Sequence, residues 1–374
     1  TSDKDKSILN QSASIVRLDP LEIKRNLGVY FDDAVNTNVP GVFMSRRTNS
    51  AGQQMNIRGY GNGIGVRGIN SNFDSQGIKM YLNGIPMTDA EGITVMDDID
   101  FGSISSAEIS KGPSGVLYGL AIAGVVNLKT EQAERNAVSA RQDVALGSYG
   151  FLRSTTTLAI GGNNSSVLVN YGRQQFDGFM PHTTSHKDFV NLMGDWRSDK
   201  KQRTTYYLGY SDSYDERNGE LTSEQYDTLD YSGNVKYIKN NAHSGVRSFR
   251  GGVGYTYEFN DQLSISTSLF GSAQSIDQSS AGGWTDKNPL NYGLRSVLKN
   301  GFTVGHDIQV SGLTGIELQK MNAITVGYSM SADSTNLEGY NVITKTNSDQ
   351  STTNVTYNYF TQWTLSFPGG FNVT

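Results

Sequence analysis

The sequence predicts an antiparallel transmembrane β-barrel preceded by a mixed α/β domain. Three observations carry that reading. Apolar and polar residues alternate with a period of two through most of residues 137–374; the connections between the alternating segments are short and long in turn; and residues 1 to about 130 have a different, glycine-rich texture.

The clearest alternating segment is Phe249 to Phe259. Phe249, Gly251, Val253, Tyr255, Tyr257 and Phe259 point one way, while Arg250, Gly252, Gly254, Thr256 and Glu258 point the other. Val355 to Phe367 repeats the pattern, with Val355, Tyr357, Tyr359, Trp363, Leu365 and Phe367 opposing Thr356, Asn358, Gln362 and Thr364. Weaker segments lie near 138–147, 151–160, 166–176, 189–197, 203–211, 263–274, 300–310 and 315–328. Short connections are expected at Gly161–Ser165, Ser198–Gln202, Asn260–Gln262, Gly312–Gly315 and Pro368–Gly370, and long ones near 177–188, 212–247, 275–299 and 329–353. Short turns on one side and long loops on the other are how an outer-membrane barrel is strung.

A soluble sandwich also alternates. Here the segments reach the roughly ten residues needed to cross hydrocarbon at a tilt. Aromatic residues gather near segment ends, as interfacial girdles do: Tyr255, Tyr257, Phe259 and Trp363. The alternation places Tyr255, Tyr257, Val355, Tyr359 and Trp363 towards lipid and Arg250, Glu258 and Gln362 towards the lumen, because a slip of one residue exchanges the faces. About ten strands are visible, and Phe371–Thr374 begins another. A closed barrel of about ten strands fills its lumen with its own side chains. The expectation is therefore an incomplete barrel.

Composition narrows the function classes. Cysteine is absent, which removes disulfides and thiolate metal sites. A net charge of −5 argues against nucleic acid as a partner. No stretch approaches the roughly 18 apolar residues of a membrane helix, and residues 1–6 lack the pattern of a signal peptide, so a mature or trimmed start is expected.

In the first domain, Met80 to Pro86 is a strand entering an Asn83-Gly84 hairpin turn, and Asp19-Pro20-Leu21-Glu22 is a helix start. Strands near 54–58, 78–87, 106–111 and 124–130 are expected to form one sheet. The chain here resembles the plugs of TonB-dependent outer-membrane receptors of the siderophore or ferric-chelate type. Asn38-Val39-Pro40-Gly41-Val42, Gln54 to Gly59 with its Ile57-Arg58-Gly59, Tyr81 to Pro86, and Ala107 to Gly119 followed by Gly124 to Thr130 match four motif blocks in the family's order, covering about residues 8–130. Lys111 stands where the family has arginine, and Ala123 replaces one of two paired glycines.

The resemblance implies a plug over residues 1–132 inside a barrel of which residues 133–374 form the N-terminal part, 22-stranded when complete. It implies a transporter rather than an enzyme, with no cofactor, in the outer membrane of a Gram-negative bacterium. Its partners would be outer-membrane lipids, a ferric siderophore or similar small ligand, and a periplasmic energy-coupling protein of the TonB type, although no TonB box stands at residues 1–10. Cobalamin, haem or an oligosaccharide is the alternative cargo, and a passive porin or adhesin the alternative class. Plug arginines of the family pair with glutamates of the barrel wall, which makes Arg58 the expected latch, with Glu108 and Lys111 in its network. Outer plug loops carry the expected ligand contacts: Arg46 and Arg47; Arg67, Asn70 and Phe73; Asp89 and Glu91.

Other signals carry less. Gly63 to Gly68 fits a dinucleotide fingerprint but no helix pattern follows. His182 and His186 have the spacing of helical metal ligands, but within a loop. The acidic run from Asp212 to Asp230 suits a solvated external loop, and no nucleophile–base set emerges.

Overall fold

The computed structural model describes residues 14–24, 29–46, 50, 53–61, 77–96, 98–112, 115–119, 121–305, 308–333, 335, 337–368 and 371–374. The N-terminal domain contains β1 (Ser14–Leu18), α1 (Pro20–Ile23), α2 (Asp32–Asn38), β2 (Val42–Arg46), β3 (Gln53–Ile57), β4 (Tyr60–Gly61), β5 (Ile78–Leu82), β6 (Ile85–Pro86), β7 (Ile104–Lys111), α3 (Gly115–Tyr118) and β8 (Gly124–Thr130). The start of α1 is a complete capping box: Asp19 accepts from the Glu22 amide at 2.9 Å while Glu22 accepts from the Asp19 amide at 2.8 Å.

Asn83 and Gly84 both take positive φ, 51° and 84°, so the β5–β6 hairpin closes with the two-residue turn that Asn-Gly favours. The strands form two sheets instead of the single one expected. One has the order β1-β7-β8-β5-β6, with β5 and β8 parallel; the other is β2-β3-β4. The segment near 54–58 belongs to the second. Between the sheets lies one apolar core that includes Leu18, Phe31, Met44, Met55, Ile57, Met80, Ile109 and Val126. Phe31 stacks on Phe101 at 4.9 Å. Gly124 is required where β7 and β8 meet, since a Cβ there would stand 2.4 Å from the Ser110 carbonyl.

The rest of the chain is one antiparallel sheet, β9 (Val138–Leu146), β10 (Leu152–Gly161), β11 (Ser165–Phe176), β12 (Ser185–Arg197), β13 (Gln202–Glu216), β14 (His243–Asn260), β15 (Leu263–Ser280), β16 (Gly283–Val304), β17 (Ile308–Ser331), β18 (Val342–Ser366) and β19 (Asn372–Val373), each paired with the next. Helices α4 (Ser223–Asp227) and α5 (Val235–Lys239) lie in the connection between β13 and β14. β9 and β19 are the sheet edges and do not pair with each other.

The faces follow the alternation. Phe249, Val253, Tyr255, Val355, Tyr357, Tyr359 and Trp363 are exposed outwards, whereas Arg250 points inwards and is buried. The plug packs against the inner face of this sheet: a Cβ at inward-facing Gly252 would meet Ile85 of the plug at 2.5 Å.

Two connections differ from expectation. The 275–299 region is not a loop, because β15 and β16 run through it to a turn at 281–282. Gly312 and Gly315 are not a turn but interior residues of β17. They make room for rings of the next strand, since a Cβ would meet Trp363 at 2.7 Å at the first and Phe360 at 2.5 Å at the second. The strand expected at 300–310 therefore straddles the end of β16 at Val304 and the start of β17 at Ile308. Beyond the membrane a strand meets water on both faces and has no reason to alternate. Thr344 to Asn354 of β18 is polar on both sides and reads as loop.

Candidate functional site: the charged seam between plug and wall

Alternation gives this barrel a largely polar inner wall, so charges and hydrogen bonds join the apolar contacts in docking the plug. Plug residues 77–103 carry most of them. Asp98, wholly buried, receives Arg250 Nε at 2.6 Å, and its backbone carbonyl accepts from Asn191 Nδ2 and Tyr207 Oη, each at 3.0 Å. The other arms of Arg250 reach the carbonyls of Met87 and Val95, so one wall residue pins both ends of the Met87–Val95 segment. Asp100 receives Arg153 Nη2 at 2.7 Å.

Farther round the wall, Glu317 lies between Lys79 of the plug and Arg295 of β16, the latter at 2.6 Å. Arg295 is further held by the Leu117 carbonyl at 3.2 Å and by the rings of Tyr81, Tyr118 and Phe360 at 4.5–5.3 Å. Lys287 pairs with Glu91 at 3.2 Å. Neutral contacts fill the intervals: Asn291 to the Ala90 amide, Gln319 to the Thr88 carbonyl and Thr356 to the Ala90 carbonyl.

The expected latch residues are not brought together. Arg58 has φ 52° and Gly59 φ 88°, and they form the two-residue turn between β3 and β4. The Arg58 amide donates to the Gly41 carbonyl at 2.9 Å; its side chain is exposed beside Gly41 and Gly112 and makes no ion pair with the wall among the described residues. Glu108 pairs with Arg17 of β1 at 3.5 Å, and Lys111 donates to the Pro40 carbonyl at 3.0 Å. Both contacts lie within the plug, because β7 has plug strands on either side of it.

Of the expected ligand residues, Arg47, Arg67, Asn70 and Phe73 lie outside the described residues, as does the Gly63–Gly68 motif. Arg46 stacks over Tyr30 at 3.8 Å and pairs with Asp32 at 2.8 Å; burial raises the Asp32 carboxyl above its ordinary range. Asp89 holds the turn that follows it, accepting from the Glu91 and Ile93 amides at 2.9 Å, and burial pushes its carboxyl up to about 6. Glu91 reaches the wall. Ser50 of the plug binds Asp215 at the loop end of β13, so part of the acidic run serves docking.

Towards the loop ends of β10–β12, Tyr30 and Arg46 of the plug face Arg153, Gln174, Lys187 and Phe189 of the wall across a cavity of about 10 Å³, the size of one water. Arg153 and Lys187 each lie 5.6 Å from the Phe189 ring. This cleft joins three cations on the side of the long loops.

The seam residues missed in the sequence had a signal. Arg250, Arg295 and Glu317 are isolated charges at inward positions of otherwise alternating strands, where only a lumen partner can satisfy them.

Residues 7–125 match the family model of the TonB-dependent receptor plug domain. A vitamin B12 transporter, BtuB, of Vibrio vulnificus (strain CMCP6) is 31% identical over 146 residues, 38% of this chain and 22% of that protein. Among solved structures, the unliganded ferric citrate transporter FecA superposes with a TM-score of 0.76 at 14% identity, covering 96% of this chain and 54% of that one. BauA, the ferric preacinetobactin receptor of Acinetobacter baumannii, gives 0.72 at 14% identity, covering 98% and 57%. The chain thus spans little more than half of these structures. Residues 7–125 thus carry the plug domain of TonB-dependent receptors, and the partial barrel around it has the fold of these solved structures.

Proposed function

We propose that the receptor actively imports a ferric chelate, a siderophore or ferric citrate, when an energy-coupling protein of the TonB type acts on the plug from the periplasm. The observation that carries this reading is the plug domain seated in a partial barrel with the fold of the ferric citrate transporter FecA and the ferric preacinetobactin receptor BauA. Arg46, Arg153 and Lys187 border the cleft on the long-loop side, where a ligand would arrive, with Arg46 and Arg153 already paired with Asp32 and Asp100. The seam supports active rather than passive passage: its polar contacts exchange readily for water, but only if something moves the plug. Cobalamin is the second reading, favoured by the identity with a vitamin B12 transporter.

Binding to the purified full-length receptor separates the two. Ferric citrate and a ferric hydroxamate should bind, and Lys187→Ala should weaken binding about tenfold, the equivalent of one modest electrostatic contact. Binding of cyanocobalamin with no response to either ferric chelate would replace this reading by the second.

A further inference from the structure

The long connection 217–242 is fastened to the wall at its C-terminal end by two histidines. His182, in the preceding loop, places Nε2 at 3.0 Å from the Ala242 carbonyl and Nδ1 at 3.7 Å from Glu216. His243, the first residue of β14, places Nδ1 at 2.6 Å from the Asn241 carbonyl and Nε2 at 3.4 Å from Asp277. Both imidazoles are buried, their side chains 5% and 3% exposed. Each ring therefore sits between a backbone carbonyl of the same hinge and a carboxylate. Asn241 is at positive φ, 46°, which turns these two consecutive carbonyls towards different histidines.

A neutral imidazole has one N–H and one lone pair. With the N–H given to the carbonyl, the lone pair faces a carboxylate, a repulsive contact. With a second proton, both nitrogens can donate and the charge on each ring attracts its carboxylate. We propose that His182 and His243 form a proton-operated clasp that ties loop 217–242 to the wall as external pH falls.

The surroundings favour this sense of response. His182 faces Glu216 and, at 6.0 Å, the ring of Tyr340. Tyr340 lies near Glu216 and Glu338, and its hydroxyl is raised, by burial first, so it stays neutral. His243 faces Tyr214 at 5.1 Å, the edge of Trp284 at 4.7 Å, Asp277, and Glu216 directly across the β13–β14 pair. His186 stacks on Tyr214 at 5.7 Å, and Arg217, next to Glu216, donates its amide to the Ala242 carbonyl at 2.8 Å.

The clasp acts on more than one loop. Asn240, beside the hinge, donates to the Ser280 carbonyl at 2.7 Å, accepts from Asn341 Nδ2 at 2.6 Å and receives Ser279 Oγ on its carbonyl. The connections at 217–242, 281–282 and 332–341 are thereby joined into one cap on the long-loop side. Fastening the hinge fastens the cap, whatever the receptor carries.

Amide hydrogen exchange of the full-length receptor in detergent tests this, with rates corrected for the intrinsic pH dependence of exchange. Protection of residues 234–242 should rise about five- to tenfold between pH 7.5 and pH 5.5, the reach of two partly exposed ion pairs. In His182→Gln/His243→Gln that rise should vanish. Should the double histidine variant fail to assemble, Glu216→Gln/Asp277→Asn removes the same charge pairing and should also give a pH-independent loop. A wild-type loop equally protected at both pH values, or a rise that survives in either double variant, would overturn the clasp.

Discussion

At the scale of single residues, the seam is where function and stability meet. Arg250 makes one ion pair and reaches two plug carbonyls. Arg250→Ala would leave Asp98 buried without its cation, which in a dry interior costs about 3–5 kcal/mol and somewhat less beside lumen water. Cells with the full-length variant are expected to become more susceptible to hydrophilic antibiotics too large for porins, with ligand binding near normal. Unchanged susceptibility would show that Arg250 does not hold the plug. Arg58 should behave differently, because its backbone role is a left-handed turn. Arg58→Gly removes strain of about 1 kcal/mol and should raise the denaturation midpoint without a leak. A leak in that variant would return Arg58 to the latch. The sequence showed that Arg250 faced the lumen but not which plug carboxylate met it. Asp98 and Asp100 sit in a segment with no periodicity, and only the folded seam brings them to the wall.

At the scale of elements, strands were legible where one face meets lipid and the other the plug, and illegible where both faces meet water. That is why the lower part of β18 was placed correctly and its upper part, Thr344 to Asn354, read as loop. Glycine misled for a related reason: in β17 it answers to the rings of Phe360 and Trp363, not to a turn. In the plug, the turn after Asp89 has a pH dependence of its own. An aspartate in an unfolded chain titrates near 4, whereas the folded turn holds Asp89 at about 6. The stabilisation attached to protonation is thus fully present below about 4 and lost as pH rises through about 6. Asp89→Asn keeps the Oδ1 acceptor for both turn amides but carries no charge. It should therefore raise plug stability at neutral pH by on the order of 2 kcal/mol and flatten the profile. Denaturant unfolding at pH 5 and 7.5 checks this; a variant less stable than wild type at pH 7.5 would mean the charge is needed, as a ligand contact or a partner of Lys287.

At the scale of the whole molecule, two bodies with different rules share one interface. The plug has an apolar core that continues into wall residues such as Leu168, Met193 and Phe270, and the wall is a sheet with apolar residues towards lipid on its other face. Apolar contacts, such as those of Ile93 and Val95 with Val246 and Ile276, share in joining them, and the charge balance of the seam adds to how firmly the plug stays. The sharpest case is Glu317, one carboxylate serving Lys79 and Arg295, all three buried. Glu317→Gln would leave two adjacent buried cations with no counter-charge, at a cost of several kcal/mol that the ring and carbonyl contacts of Arg295 offset only in part. The full-length variant should admit large hydrophilic antibiotics and lose thermal stability. Adding Lys79→Met should reverse much of both, because the remaining cation, Arg295, keeps the Leu117 carbonyl and three aromatic faces, and methionine fills the lysine's volume without a charge. Antibiotic susceptibility and melting temperature of the wild type, both single variants and the double variant form a cycle whose coupling should be strongly favourable. If the double variant were as leaky as Glu317→Gln alone, the geometry of the carboxylate's hydrogen bonds, and not its charge, would be what seals the plug to the wall.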